Sequence, residues 1–352
     1  MVGLALHGVT TDDPLIGSEI GDFRVVGLLG KGGMGAVYEA EDLTLQRSVA
    51  LKVLLPEFVD DHRARARFQR EIEHAVAIEH PHVVPVYAAG YEPPHFFISM
   101  RLVRGPDLAK ILRRAGVLDE SRALRILGQV ASALHAVHQS GLVHQDIKPH
   151  NVLLWAAGTE DEHAMLTDFG IARALDDTRS ITGISAIGTP AYMAPEICLG
   201  QLATPACDQY SLGCMAYELL CGHPPFEGDG VALREAHVEQ ELVPLSVAAP
   251  RVSPAVARAV DVALSKDPSG RHRDVRELVK SAKASSDAFR RSQDISRALA
   301  EAARPEEAVG TLSTEHGLSD ATISQLTQLD RTQVVRLRRR QARGALVGRR
   351  PR

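Results

Sequence analysis

Short segments of apolar residues dominate the N-terminal third of the chain. From Ile20, apolar residues recur in brief runs as far as Leu29, and residues 49–53 and 96–100 form two further runs. Such segments, rich in β-branched and aromatic residues, are typical of strands. The pattern therefore predicts a β-rich N-terminal region.

Helical spacing dominates the remainder. One charge-rich segment, residues 64–78, shows it between the predicted strands, and residues 124–138 repeat it over a longer stretch. Residues 212–221 are apolar on nearly every face, which predicts a core helix that is too short to cross a membrane. Predicted strands therefore come mainly at the beginning of the chain, and predicted helices make up most of the remainder.

Composition excludes several classes of protein. The chain has 352 residues, of which 45% are hydrophobic, so it can form one two-lobed domain with a small appendage. It contains no apolar run of eighteen residues, and the apolar patch near its start lacks a signal-peptide cleavage pattern. The four cysteines show no metal-type or redox-type spacing. We therefore expect a cytoplasmic protein with reduced thiols and no membrane contact.

The charge is unevenly distributed. The net charge is −4, yet residues 331–352 hold nine arginines and no acidic residue. An acidic body with a basic end favours an anionic partner for that end, such as DNA. The alternative is a solvated basic segment.

Candidate chemistry is concentrated in residues 144–170. The sequence reads His-Gln-Asp-Ile-Lys-Pro-His-Asn from residue 144 and Thr-Asp-Phe-Gly from residue 167. Phosphoryl transfer needs a carboxylate that orients the attacking hydroxyl, a cation that screens charge, and oxygen ligands for a divalent metal. These residue types supply all three.

The two motifs together resemble the catalytic core of the bacterial eukaryotic-like serine/threonine protein kinases. The resemblance covers residues 16–285 and implies an α+β, two-lobed fold, with a small β-rich N-lobe and a large helical C-lobe. It also implies transfer of the ATP γ-phosphate to Ser and Thr hydroxyls of proteins, autophosphorylation included. By resemblance, Asp146 is the catalytic base and Lys148 stabilises charge. The implied ligands of Mg2+ or Mn2+ are Asn151 and Asp168.

A glycine-rich segment precedes this core. Glycines allow backbone amides to approach phosphate oxygens closely. A dinucleotide-binding fold would place a helix after them, whereas here the chain continues as a strand, as in a kinase glycine-rich loop. The residues implied to contact ATP in this segment are Gly30, Lys31, Gly32, Gly33, Met34, Gly35 and Val37.

Lys52 lies inside an apolar strand, where a charge is costly unless it is paired. The resemblance implies that Lys52 contacts the phosphates and pairs with Glu71, or with Glu73 as the alternative. The simpler reading is an edge lysine that reaches solvent. The remaining residues implied for the ATP site are Ala50, Met100, Arg101, Val103 and Leu153.

Gln145 departs from the family pattern. Many relatives carry an arginine there, which binds the phosphate added to the activation loop. We therefore expect that activity does not strictly require loop phosphorylation. The loop still offers three candidate acceptors: Ser180, Thr182 and Ser185.

The resemblance also implies structural contacts in the helical region. Glu196 is expected to bridge Arg271, and Asp208 to brace the backbone of the catalytic loop. His144 is expected to pack beneath the Asp-Phe-Gly turn rather than to take part in chemistry.

The two ends of the chain differ from its centre in their pattern of apolar and charged residues. Residues 1–15 show no periodicity and are expected to be a flexible leader, and residues 286–304 a helical linker. Residues 305–352 are expected to form a basic helical module, with a final helix from Arg331 to Arg340.

Part of this module resembles a helix-turn-helix unit, although Gln328 stands where glycine is usual at the turn. Its expected core is Ile323, Leu326, Leu329, Val334 and Leu337. Its candidate DNA contacts are Arg331, Thr332, Gln333 and Arg336. Useful DNA affinity would call for a homodimer. The alternative is a helical module that docks on protein.

Two other functions remain open. One is a pseudokinase scaffold, and the other is a DNA-bound transcriptional regulator whose kinase-type domain serves as its sensor. The expected partners are therefore protein substrates, with DNA as a further candidate.

Overall fold

A computed structural model of the chain describes most of its residues. These are residues 13–32, 35–54, 72, 75–168, 190–283, 295, 298–299, 305–314 and 317–347. The chain divides into two compact units, Met1–Ala282 and Lys283–Arg352. Among the described residues, no helix combines the length and apolar character needed to cross a bilayer.

The N-terminal part of the first unit is an antiparallel sheet. Its described strands are β1 (Glu19–Ile20), β2 (Phe23–Gly32), β3 (Gly35–Asp42), β4 (Arg47–Leu54), β5 (Val86–Glu92) and β6 (His95–Arg101). They are ordered β1-β2-β3-β4-β6-β5. β4 lies between β3 and β6, so both of its edges are paired and most of its side chains are buried. The strands predicted around residues 49–53 and 96–100 are confirmed.

Helices form the larger part of the first unit. The described ones are α1 (Leu108–Ala115), α2 (Glu120–Gln139), α3 (Pro195–Cys198), α4 (Pro205–Cys221), α5 (Gly230–Glu239), α6 (Leu245–Ala248) and α7 (Pro254–Ala263). Residues 275–283 are also helical. α2 begins earlier than its apolar pattern predicts because Asp119 caps it, accepting hydrogen bonds from the backbone of Ser121 and Arg122. α4 is buried along nearly its whole length, which confirms the predicted core helix.

A two-stranded hairpin joins the motif around Asp146 to the motif that begins at Thr167. β7 (Val152–Trp155) pairs with β8 (His163–Leu166), and Val152 lies opposite Leu166. This register places the loop before β7 beside the turn after β8. The Thr167 amide donates to the Asn151 carbonyl at 3.0 Å, so the two motifs are in direct contact.

The second unit contains three described helices. They are α8 (Pro305–Thr314), α9 (Asp320–Thr327) and α10 (Arg331–Val347). Their shared core is centred on Ala308, Val309, Leu312, Ile323 and Val334. α10 continues beyond its predicted end at Arg340. The expected core role of Leu326 is wrong: it is 39% exposed, because it lies on the outer face of α9.

The turn between α9 and α10 has the predicted position. Gln328 adopts a left-handed conformation with φ of 58°, which glycine would adopt with less strain. The Ser319 hydroxyl accepts from the Thr322 amide, and Asp330 accepts from the Gln333 amide, so both helices are capped as expected.

Candidate active site

Asp146 lies at the centre of the catalytic loop. The Lys148 ammonium is 2.8 Å from one carboxylate oxygen and 3.0 Å from the other. The Asn151 amide nitrogen donates to the Asp146 carboxylate at 2.9 Å and to its backbone carbonyl at 2.7 Å. The Asp146 side chain stays 36% exposed, so a hydroxyl from another molecule can reach it. The loop therefore presents an oriented and accessible carboxylate.

Asp208 holds the backbone of this loop through hydrogen bonds, as expected. Its carboxylate is fully buried and accepts from the backbone amides of His144, at 2.8 Å, and Gln145, at 2.7 Å. It also accepts from the His138 ring at 2.7 Å. Gln145 has φ of 63°, and these bonds hold consecutive amides in that strained arrangement. The role of His138 was missed, because nothing in the sequence connects it to a residue so distant in the chain.

His144 links the loop to the second motif. It is fully buried, and its Nε2 donates to the Thr167 carbonyl at 3.0 Å, while its Nδ1 lies 3.3 Å from the Asp146 amide, which donates to it. Both ring nitrogens are thus engaged with backbone groups. This confirms the structural role expected of His144.

Lys52 reaches across the cleft to Asp168. The two charged atoms are 2.7 Å apart, and the side chains are 14% and 28% exposed. Burial acts to raise the pKa of Asp168, but the charge and hydrogen bond of Lys52 outweigh it, so the pKa lies below its usual value. Lys52 is therefore not a solvent-facing edge lysine. Its expected partners Glu71 and Glu73 lie outside the described residues.

Asn151 and Asp168 fit a divalent metal. The Asn151 amide nitrogen is committed to Asp146, which orients its amide oxygen away from that carboxylate. Asp168 remains ionised and contributes carboxylate oxygens. An amide oxygen and a carboxylate are ligands that Mg2+ takes in proteins, usually together with phosphates and waters.

The glycine-rich segment forms the hairpin of β2 and β3. Gly30 pairs with Val37, Lys31 with Ala36 and Gly32 with Gly35. At Gly35, φ is 156° and a Cβ atom would lie 2.1 Å from the Val53 carbonyl oxygen, so only glycine fits. Gly33 and Met34 lie outside the described residues. The chain continues as a strand, which agrees with the kinase-type reading and not with a dinucleotide-binding fold.

The apolar side chains predicted to contact ATP belong to one hydrophobic core or pack against it. Ala50 pairs with Met100 across β4 and β6, and each is 7% exposed. Val103 and Leu153 are partly buried against the same core, as is Val37. These apolar side chains can enclose a flat base.

The segment after β6 connects the sheet to the helical lobe. The Arg101 amide donates to the Pro85 carbonyl at 2.9 Å, which leaves only the Arg101 carbonyl for a ligand. At Gly105 a Cβ atom would lie 2.0 Å from the Leu154 carbonyl oxygen, so the connection packs directly on β7.

The expected ion pair of Glu196 and Arg271 is present and buried. The guanidinium meets both carboxylate oxygens, at 2.7 and 2.8 Å, and its Nε donates to the Ser265 carbonyl at 2.9 Å. The pair anchors α3, which follows the short turn Pro190–Tyr192. The candidate acceptors Ser180, Thr182 and Ser185 lie outside the described residues.

The basic module exposes all four of its predicted DNA contacts. Arg331, Thr332, Gln333 and Arg336 are all exposed on the first turns of α10. The Gln333 side-chain oxygen, however, accepts from the Asp330 amide at 2.9 Å, so it completes a cap. Arg338 is also committed, to an ion pair with Asp320. Of the four predicted contacts, Arg331 and Arg336 are the exposed cations.

Comparison with known proteins gives consistent results. A family model described as "Protein kinase domain" matches residues 23–282. The serine/threonine-protein kinase PknD of Mycobacterium tuberculosis is 40% identical over 267 residues, covering 75% of this chain and 40% of the relative. PknE of Mycobacterium bovis is 40% identical over 256 residues, covering 73% and 44%.

A solved structure shows the same fold. The crystal structure of the Mycobacterium tuberculosis PknI kinase domain has a TM-score of 0.63 and 30% identity, and the match covers 76% of this chain and 98% of that one. The chain spans less than half the length of the curated relatives above.

Proposed function

The chain belongs to the protein kinase domain family, and on that premise we propose that it is an active serine/threonine protein kinase. It transfers the ATP γ-phosphate to Ser and Thr hydroxyls of proteins, itself included, with Mg2+ or Mn2+. The observation that carries this proposal is the arrangement around Asp146, where Lys148, Asn151 and the Lys52–Asp168 pair meet at one cleft.

Different groups of the described residues bind the phosphates, the adenine and the metal. Lys52 and the glycine-rich hairpin bind the phosphates, and Ala50, Met100 and Val103 enclose the adenine. Asn151 and Asp168 hold the metal, which screens phosphate charge when bound. The remaining contacts are Arg101, through its carbonyl, and Leu153.

Asp146 carries the transfer itself. Its carboxylate aligns the acceptor hydroxyl and accepts its proton as the new oxygen–phosphorus bond forms. Lys148, bound to the same carboxylate, stabilises charge on the transferred group. The β–γ bridging bond breaks and ADP leaves.

The same proposal covers the organisation of the protein. The kinase domain spans residues 16–285, a linker spans 286–304, and the basic module spans 305–352. ATP dependence and four free cysteines support a cytoplasmic location. A pseudokinase scaffold is less well supported, because every described side chain that the chemistry requires is present and suitably paired.

Metal-dependent transfer tests the kinase proposal. Full-length protein and an acceptor protein are incubated with labelled ATP and Mg2+ or Mn2+, and the labelled amino acids are identified. We expect labelled Ser or Thr with the wild type and none with Asp146→Asn. Asp161→Asn, in an exposed turn, is the matched control and should retain transfer. Equal labelling by Asp146→Asn would contradict the proposal.

We further propose that the basic module binds DNA, which would make the protein a kinase that can act at DNA as a homodimer. The exposed Arg331 and Arg336 on a capped helix, in a basic segment, support this. A gel shift with the full chain should weaken as salt rises. Replacing both arginines by Ala should reduce the salt dependence, whereas Arg258→Ala, exposed on the other unit, should not. Absence of a shift at low salt would refute this part.

A further inference from the structure

The residues immediately before β1 pack against the sheet. Leu15 and Ile16 pack against a cluster of buried apolar side chains on the sheet that includes Val25 and Tyr38. The Gly17 amide donates to the Val25 carbonyl at 2.9 Å, and the Val25 amide donates to the Ser18 carbonyl at 2.9 Å. Residues 13–18, which we name the N-terminal strap, therefore form a turn whose end is bonded to Val25 of β2.

Asp13 is the polar anchor of the strap. Its carboxylate is 3.0 Å from the Lys31 ammonium, accepts from the Tyr38 hydroxyl at 3.1 Å, and accepts from the Leu15 amide at 3.2 Å. The Asp13 side chain is only 5% exposed, whereas Lys31 is 64% exposed. The lysine thus has freedom to move, and the buried carboxylate restrains it.

These contacts lie at the phosphate-binding end of the hairpin. Lys31 is in β2 between Gly30 and Gly32, and Tyr38 in β3 directly follows Val37. Asp13 therefore joins both strands of the glycine-rich hairpin on the face opposite Val37, where Tyr38 is buried in the apolar core of the sheet. No other described carboxylate pairs with Lys31.

We propose that Asp13 is a positioning residue that holds the glycine-rich hairpin in the form that accepts ATP. This inference rests on the proposed kinase function. A glycine-rich hairpin has many accessible conformations, so ordering it upon nucleotide binding costs conformational entropy. A restraint already present in the free protein lowers that cost and so raises the affinity for ATP.

The expected signature is a change in KM without a change in chemistry. Asp13→Asn keeps the volume but removes the charge that holds Lys31. We expect KM for ATP to rise about fivefold, the size of one partly exposed ion pair, with kcat unchanged within twofold. The dissociation constant of a non-hydrolysable ATP analogue should rise by the same factor.

Two further variants separate positioning from plain stability. Glu19→Gln breaks the exposed Glu19–Arg24 pair on the same sheet, 3.1 Å in length, and should leave KM unchanged. Lys31→Met removes the partner of Asp13. In the Lys31→Met background, Asp13→Asn should have little further effect on KM, because the two residues act through one contact.

The outcomes are distinct. A selective rise in KM that disappears in the Lys31→Met background supports the proposal. A lower melting temperature with unchanged KM, or the same rise with Glu19→Gln, would overturn it. If the wild type neither binds nor turns over ATP, the proposed kinase function fails, whatever the Asp13 variants do.

Discussion

Asp208 offers a sharp test of how the catalytic loop is held. The Asp208→Asn substitution preserves shape but places an amide group where the carboxylate accepts three hydrogen bonds, from the His144 and Gln145 amides and the His138 ring. The oxygen of the new side-chain amide can still accept a hydrogen bond, whereas its NH2 group faces a backbone N–H that is itself a donor. The strained Gln145 backbone then loses part of its restraint.

The expected cost follows from the number of bonds affected. Each buried polar group left without a hydrogen-bond partner lowers the free energy of unfolding by about 1–3 kcal/mol. In this variant at least one backbone amide loses its acceptor. We therefore expect the free energy of unfolding to fall by about 2–4 kcal/mol, and the melting temperature by roughly 5–15 °C. Because Asp146 directly follows the two braced amides, a displacement near 1 Å is expected to lower kcat about 100-fold.

The assay compares Asp208→Asn with Asp261→Asn. Asp261 also accepts from a backbone amide, that of Leu245 at 3.0 Å, but it lies in α7 and its bond reaches the first residue of α6. Both variants are measured for kcat, KM for ATP and urea unfolding at a temperature where each is folded. We expect both to lose stability and only Asp208→Asn to lose kcat. If Asp208→Asn keeps kcat within twofold of the wild type, the bracing role is refuted.

Three further predictions follow from other contacts. Lys52→Met removes the partner of Asp168. In a steady-state assay, KM for ATP should rise and kcat should fall at least 100-fold. Activity near the wild-type level would exclude the proposed role of Lys52 in binding the phosphates. Gln145 cannot supply the charge that binds a phosphate on the activation loop, so loop phosphorylation should not be required for activity. When three hydroxyl residues of that loop are together replaced by Ala, activity towards a separate substrate should stay within about fivefold of the wild type. Those residues are Ser180, Thr182 and Ser185. Loss of all activity in this triple variant would refute the prediction. Burial, assisted by the charge of Lys266, lowers the pKa of His237 to about 4, so the unfolded chain binds the proton more readily between pH 6.5 and 4. Wild-type stability should therefore fall with decreasing pH, and the difference from His237→Gln should shrink by about 3 kcal/mol over this range in urea unfolding; a pH-independent difference would contradict it.

Sequence patterns anticipated the parts of the fold that depend on local periodicity. The apolar strand around Lys52 and the apolar helix α4 were predicted because burial on both sides leaves a clear signature. The sequence brings Asp146, Lys148 and Asn151 together because they are close along the chain, and the structure shows them in contact.

Contacts between distant polar residues were harder to anticipate. Neither the Asp13–Lys31 pair nor the bond of His138 to Asp208 leaves a periodic signature. The exposure of Leu326 was also missed, because a short helix at the edge of a small core buries only one narrow face. Gln333 was assigned to DNA, yet its side chain completes a helix cap, a local alternative available to any such residue.

The most direct test separates nucleotide binding from chemistry at Asp146. Wild type and Asp146→Asn are each mixed with ATP and Mg2+ under single-turnover conditions, and the dissociation constant and the rate of phosphoryl transfer are measured on the same samples. The account predicts similar ATP affinity and a transfer rate at least 1,000-fold lower in the variant. Equal transfer rates, or a wild type that binds ATP without transferring its phosphate to Ser or Thr, would contradict the claim that this cleft is a working kinase site.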